Sequence, residues 1–402
     1  MDVKTEVERQ LAEIERATEV VVPREELTAK LERSLNEQRP LRVKLGIDPS
    51  APHLTYGHAV VLRKLRAFQD LGHMAVLVVG DFTRRVGDPS GRARTRDPMT
   101  PEDIQRNMAT YREQAFRILD PERTEVRYNS EWLGNLSLED VIVLSAKYTV
   151  ARMLEREDFH RRYKDGIPIT IMEFLYPLAQ AYDSVAIHAD VELGGSDQRV
   201  NLLIARDIQE GYGQAPQAVV TMPLLLGPDG QMSMSQSRGN YIGIDEPPEE
   251  QFGKVMSIPD ALLGDYTRLL TDLSWEKLAA MHPKLAKKHL ARTLVAAFQG
   301  TSAADAAQAH FERVFEQQES PEEMTEVQLD PALLDGDGKA NVIDLIMAAE
   351  LAPSRSQARR LVEQGGVEVA GRRAGSPNEQ VPASAGTVLR VGRRKFARIK
   401  EV

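Results

Sequence analysis

Two apolar runs, Val43-Lys44-Leu45-Gly46-Ile47 and Ala75-Val76-Leu77-Val78-Val79, constrain this chain more than any other feature. Asp48-Pro49 stops the first run, and the second has no polar residue at all. A strand with no polar alternation is buried on both faces, which is the condition of a parallel sheet. Between the runs the spacing predicts a helix from about His58. It places Val61, Leu62, Leu65, Phe68 and Leu71 on one face, with Gly72 as its C-terminal cap. The same strand-turn-helix outline returns at Val191-Glu192-Leu193, the turn Gly194-Gly195 and a helix from Ser196 to about Glu210. Two such units around a segment read as a helical insertion, at about 100–185, predict a doubly wound α/β domain. Ligands of that fold bind at the carboxyl ends of the strands. The loops after Ile47, Val79 and Leu193 are therefore the places to look for chemistry.

The rest of the chain reads as further units. A loop and a Pro/Glu-rich linker occupy 226–248, a helical segment 249–325, a Glu/Asp/Gly-rich tether 326–340, and a compact α+β module 341–402. The total charge is −9, yet from Asn341 onward eleven Lys/Arg face six Asp/Glu, a net of +5 that leaves −14 on the remainder. Polyanion binding depends on local charge, so the tail is read as a phosphate-binding module on an acidic body. The absence of cysteine excludes thiol nucleophiles, thiolate metal sites and disulfides. With no basic and apolar leader and no long apolar run, a cytoplasmic protein without membrane contact is expected.

Four segments carry the candidate chemistry. Asp48-Pro49-Ser50 through Thr55-Tyr56-Gly57-His58 puts hydroxyls and an imidazole at a helix N-terminus, where free N–H groups and the helix dipole favour anions. Gly80 through Arg96 combines glycines with five arginines at the end of the second strand, a composition suited to polyphosphate. Tyr176, Gln180 and Asp183 form one polar stripe at helical spacing, able to accept from an ammonium or a phenol. Gly194-Gly195-Ser196-Asp197-Gln198 follows the third strand.

Taken in this order and spacing, these segments resemble the class I aminoacyl-tRNA synthetases, and within them the tyrosyl-tRNA synthetases. Thr55-Tyr56-Gly57-His58 resembles a degenerate His-Ile-Gly-His signature, and the basic tail resembles an S4-type RNA-binding domain. The resemblance implies a Rossmann-like catalytic domain over 1–225, a helical anticodon-arm-binding domain over 249–325 and an S4-like domain over 341–402. It implies ATP-dependent activation of L-tyrosine with Mg²⁺, transfer to tRNA(Tyr), and a homodimer. It further implies that Lys44, Gly46, Asp88, Tyr176, Gln180, Asp183 and Gln198 hold tyrosine. Asp48, Ser50, Thr55, His58, Gly195, Asp197, Ser235 and Gln236 hold the nucleotide. Thr55, His58, Arg92, Arg96, Ser233 and Gln236 act in catalysis, and no side chain is assigned as a protein ligand to a metal.

The sequence departs from the family at three points. Lys44 stands where one branch has a tyrosine; Thr55 replaces the first signature histidine, with His53 two residues away; and Ser233-Met234-Ser235-Gln236-Ser237 lies over Lys-Met-Ser-Lys-Ser, without either lysine. Positive charge toward pyrophosphate is then expected from Arg238, from the arginines at 84, 85, 92, 94 and 96, and from Mg²⁺. The alternative reading is a synthetase-like RNA-binding protein that no longer charges tRNA.

Overall fold

The computed structural model describes residues 2–49, 52–87, 101–315, 324–392 and 395–401. A six-stranded sheet organises the first of two compact units, which spans Met1–Ala304. Its strands are β1 (Val20–Val22), β2 (Arg42–Ile47), β3 (Met74–Val79), β4 (Thr124–Tyr128), β5 (Val191–Gly195) and β6 (Ala218–Met222), in the order β1-β6-β5-β2-β3-β4. All neighbours are parallel except β1, which runs antiparallel to β6. β3, β5 and β6 are buried almost throughout; β3 is apolar along its whole length, while β5 and β6 each bury one polar side chain, Glu192 and Thr221. The edge strands β1 and β4 are only half-buried.

Successive strands run outward from β2 through β3 to β4, and the chain then returns to β5 and β6 on the other side of β2. The order reverses between β2 and β5, so a crevice opens above their carboxyl ends. The helix Tyr56–Asp70 packs on β2, β3 and β5 and buries Leu62, Leu65 and Phe68. Burial of each such side chain stabilises by about 1.5–3 kcal/mol. Gly72, at φ +97°, ends the helix as its sequence predicts. Lys64 on the same helix is buried and donates to the carbonyls of Glu13, Ile14 and Arg16 at 3.1, 2.9 and 2.7 Å. It thereby satisfies the C-terminal end of the helix Val3–Glu15.

Ahead of β2, β1 lies between the helices Val3–Glu15 and Arg24–Glu37 and pairs with β6 from Val20 to Val22. Two sequence readings are corrected. The segment read as a helical insertion at about 100–185 contains β4, which completes the sheet edge beside β3. The segment read as a tether over 326–340 is built into the second unit, Asp305–Val402: β7 (Thr325–Gln328) pairs parallel with β13 (Lys395–Glu401), and Val327 and Leu329 are buried in that unit's core.

In this second unit the helices Val342–Ala348 and Arg355–Glu363 pack on a sheet of order β10-β9-β12-β13-β7. Its remaining strands are β9 (Val367–Val369), β10 (Arg372–Arg373) and β12 (Val388–Val391), while β8 (Lys339–Asn341) and β11 (Gln380–Pro382) form a separate pair. In the first unit the sheet is followed by helices at Pro248–Ser257, Leu263–Leu270, Trp275–Ala279 and Pro283–Gln299. The buried Tyr56 hydroxyl donates to Gln251 at 2.9 Å and ties the first of these helices to the signature turn.

Candidate active site

A cavity of about 360 Å³ lies at the switch point, walled by Gly46, Ile47 and Asp48 from β2 and by Glu192 to Gly195 from β5. The helix Ile171–Ala186 contributes Tyr176, Gln180 and Asp183 to one wall, as the spacing of that polar stripe predicts. At the N-terminus of the helix Tyr56–Asp70, Thr55, Gly57 and His58 form another wall; Asp197, Gln198, Ser233 and Met234 complete the rim. Gly46 has nothing within 4 Å of where a Cβ would stand, so any side chain there would project into the cavity.

One end of the cavity is a bonded network around Asp183, which is 3% exposed. Trp132 Nε1 donates to Asp183 Oδ1 at 2.8 Å and Asn129 Nδ2 to Oδ2 at 3.3 Å. Burial raises the Asp183 carboxyl to about 7, against the pull of the Lys44 charge and of these two donors. Asn129 also donates to Thr83 Oγ1 at 3.0 Å, Thr83 donates to Asp48 Oδ1 at 3.0 Å, and Tyr176 donates its hydroxyl to Asp48 Oδ2 at 2.9 Å. A Cβ on Gly80 would stand 2.0 Å from Asp48 Oδ1, so the bare backbone there makes room for that carboxylate. Gln180 lines the cavity, and its buried Oε1 has no hydrogen-bond partner among the described residues.

The position of Lys44 sets it apart from the lining residues. The side chain is fully buried and does not line the cavity; Nζ forms an ion pair with Glu192 Oε1 at 2.8 Å and donates to the Gln180 carbonyl at 3.0 Å and Ser184 Oγ at 2.9 Å. Two ammonium N–H groups thus hold the helix that forms the cavity wall.

The other end is arranged around His58. Its Nδ1 accepts from the Thr55 backbone N–H at 3.1 Å and lies 2.9 Å from Thr55 Oγ1. Desolvation pushes the imidazole down to about 4. A neutral ring whose Nδ1 accepts carries its proton on Nε2, so His58 offers one N–H donor. Thr55 caps the helix in partnership with His58, in the geometry of a capping box. His53, the alternative imidazole, is held elsewhere: its Nδ1 lies 2.7 Å from Asp245 Oδ2 and it does not line the cavity.

The loop 226–240 folds on itself through paired backbone at Leu226/Ser233 and Ser235/Asn240. A Cβ on Gly227 would stand 2.3 Å from the Asn240 amide, which donates to the Met232 carbonyl at 3.2 Å. Ser233 and Met234 reach the cavity, and Met234 Sδ accepts from the Gly57 N–H at 3.3 Å. Ser235 and Gln236 do not line the cavity; the Gln236 amide donates to the His53 carbonyl. Arg238 is exposed, with Nη1 3.5 Å from Met232 Sδ. Ser50, Asp88, Arg92 and Arg96 lie outside the described residues.

Sequence reasoning missed Trp132, Asn129, Thr83 and Glu192. The first two follow β4, so recognising that strand would have placed them by the same carboxyl-end rule that found the other loops.

A parallel sheet with a nucleotide-type crevice at its switch point, and a histidine signature at the adjoining helix N-terminus, defines a class I synthetase domain. Residues 36–316 match the family of tRNA synthetases class I (W and Y), and residues 343–385 match the S4 domain. The chain is 51% identical over 401 residues to the tyrosine–tRNA ligase of Thermotoga maritima, covering 98% of this chain and 97% of that protein. It is 47% identical over 396 residues to the tyrosine–tRNA ligase of Aquifex aeolicus, covering 98% of each. The solved tyrosyl-tRNA synthetase from Archaeoglobus fulgidus, complexed with L-tyrosine, shares the fold with a TM-score of 0.60 at 24% identity, over 75% of this chain and 99% of that one. The chain belongs to the class I tRNA synthetases of the tryptophan and tyrosine group, and within it to the tyrosine–tRNA ligases.

Proposed function

We propose that the cavity joins L-tyrosine to ATP, giving tyrosyl adenylate and pyrophosphate, and that the tyrosyl group then passes to tRNA(Tyr). The observation that carries this reading is Asp183: a buried carboxylate held by two donors in the wall of a switch-point cavity. It accepts from the substrate phenol. Phenylalanine in the same place would leave that carboxylate unpaired and is rejected for that reason. Gln180 Oε1, a buried acceptor with no partner among the described residues, and Tyr176 take the ammonium, together with Asp88; Gln198 lies near the carboxylate.

The carboxylate attacks the α-phosphorus, a step in which positioning and charge stabilisation supply the rate. Asp48, Ser50, Gly195 and Asp197 take the nucleoside, while the neutral His58 N–H, Thr55, Ser233, Ser235 and Gln236 donate toward phosphate oxygens. Mg²⁺ enters with the nucleotide, held by its phosphates; among the described residues no cluster of three or more acidic or histidine side chains forms a cage for it. Arg92, Arg96 and Arg238 supply charge that the signature loop lacks.

The basic tail takes the tRNA. Arg355, Arg359 and Arg360 are exposed on one helix, and Arg372 and Arg373 on a nearby strand, which is the local positive charge that phosphate binding requires. A homodimer is supported by the exposed large apolar side chains Leu138, Ile142, Val143, Val150, Ile171 and Met172 on three helices of the first unit. No helix among the described residues is long and apolar enough to cross a membrane, and we place the enzyme in the cytoplasm.

The test is charging of tRNA with labelled tyrosine by the purified protein, with phenylalanine and tryptophan as controls. Tyrosine-specific charging is the expected result. Binding of tRNA without charging by any amino acid would overturn it in favour of a non-charging RNA-binding protein.

A further inference from the structure

Among the described residues, the Lys44–Glu192 pair is a buried ion pair beside the cavity that the proposed reaction does not use. Both side chains are essentially inaccessible, at 0% and 1% exposure. Glu192 Oε2 accepts from Ser184 at 3.2 Å and from Gln217, and Ser184 in turn accepts from Lys44 at 2.9 Å. The two helix groups that Lys44 grips, the Gln180 carbonyl and Ser184 Oγ, bracket Asp183 along the helix Ile171–Ala186. One ammonium therefore fastens, from β2, the turn that presents both Gln180 and Asp183.

We propose that Lys44 is a positioning residue for tyrosine recognition: from beneath the cavity it fixes Gln180 and Asp183 and, as the buried cation facing Asp183, keeps that carboxylate negative for the phenol. Glu192 moderates this field by neutralising part of the lysine charge. The inference rests on the reading of Asp183 as the phenol acceptor. The charged groups acting on Asp183 are Lys44 from β2 and Glu192 from β5. The turn after β4 brings Trp132 and Asn129, which do not titrate near neutrality, and the short helix Thr83–Val86, packed on the same helix, brings the buried Arg84. On its own helix Tyr176 is the titratable neighbour, already donating to Asp48.

The sign of the effect differs between the two partners. Removing Lys44 leaves Glu192 to repel Asp183, which then holds its proton to higher pH; removing the Glu192 charge leaves Lys44 unopposed, and Asp183 ionises at lower pH. Tyrosine affinity, which needs the anion, is lost as pH falls through the Asp183 value. The experiment is calorimetric tyrosine binding between about pH 5.5 and 8.5 for the wild-type chain, Lys44→Met, Glu192→Gln and the double variant, each checked for a cooperative melt. One unit of displacement in the profile is tenfold in affinity on its falling limb. Lys44→Met is expected to weaken binding at pH 7 by about tenfold or more and to move the fall to higher pH. Glu192→Gln moves it to lower pH, and the double variant, which avoids an unpaired buried charge, lies between them. Profiles that superimpose, or that move in the same direction in both single variants, would overturn the proposal. If the wild-type chain binds no tyrosine, the Asp183 reading itself fails.

Discussion

The two ends of the cavity are built on opposite plans. Around Asp183 most of the described polar groups are buried and bonded before substrate arrives, through Trp132, Asn129, Thr83, Lys44 and Glu192. Around His58 the polar groups are neutral, and backbone contacts hold them: Thr55 and His58 cap a helix, and the loop 226–240 rests on its own turn pairs and on Met234. Selecting one amino acid requires a charge whose partners are fixed in advance, because a buried unpaired carboxylate penalises the wrong side chain. Holding a triphosphate requires donors near an open mouth, and in the proposed reaction the charge there comes from arginines and Mg²⁺.

The largest expected effect lies at the bonded end. Asp183→Ala removes the phenol acceptor and strands the Trp132 and Asn129 donors, and kcat/KM for tyrosine activation is expected to fall about 100-fold or more. Steady-state pyrophosphate exchange measures it, and a loss below about threefold would mean that the network does not select tyrosine.

Restoring a lysine tests the other end. Gln236→Lys is expected to raise the activation rate by no more than about tenfold if, as proposed, arginine supplies charge there. A rise approaching about 150-fold would show the lysine-free loop to be uncompensated.

The two ends also carry opposite pH dependences. Asp183 is raised in the fold, from an unfolded value near about 4 to about 7, so the folded state holds more protons in that window and this contribution to stability falls as pH rises. His58 is lowered to about 4 from its ordinary value of 6.5, so its contribution is full above 6.5 and is lost as pH falls toward 4. Asp183→Asn removes the first slope only, and its melting temperature is expected to climb more steeply with pH between 4 and 7 than that of the wild type.

The smallest effect is expected at His53→Ala. Its pair with Asp245 is 42% exposed on the histidine side, and such pairs contribute about 0–1 kcal/mol, so chemical denaturation should barely change. A loss near 3 kcal/mol, the size seen when buried pairs are broken, would mean this pair anchors the loop.

Much of this contrast is legible in the sequence, for reasons of spacing. Tyr176, Gln180 and Asp183 share a helix face because 3.6-residue periodicity dictates it, and Asp48-Pro49 after β2 and Gly194-Gly195 at the end of β5 mark strand ends. What escaped reading depends on partners far away in the chain. β4 has alternating polar residues that suit a half-buried edge, and only its pairing with β3 reveals it. β7 is four residues long and pairs with the last strand of the chain, so local composition suggested a tether. Lys44 and Gly46 share one face of β2, but the lysine lies one pair deeper, where its length reaches the neighbouring helix.

The most direct measurement is tyrosine-dependent exchange of labelled pyrophosphate into ATP by the wild-type protein with Mg²⁺. Exchange with tyrosine, and none with phenylalanine or tryptophan, is the result this account requires, since a bonded tyrosine end and a lysine-free phosphate end would then be shown to work together. Tyrosine binding without exchange would contradict it, and would mean that the neutral donors around His58 and the loop 226–240 do not support adenylate formation.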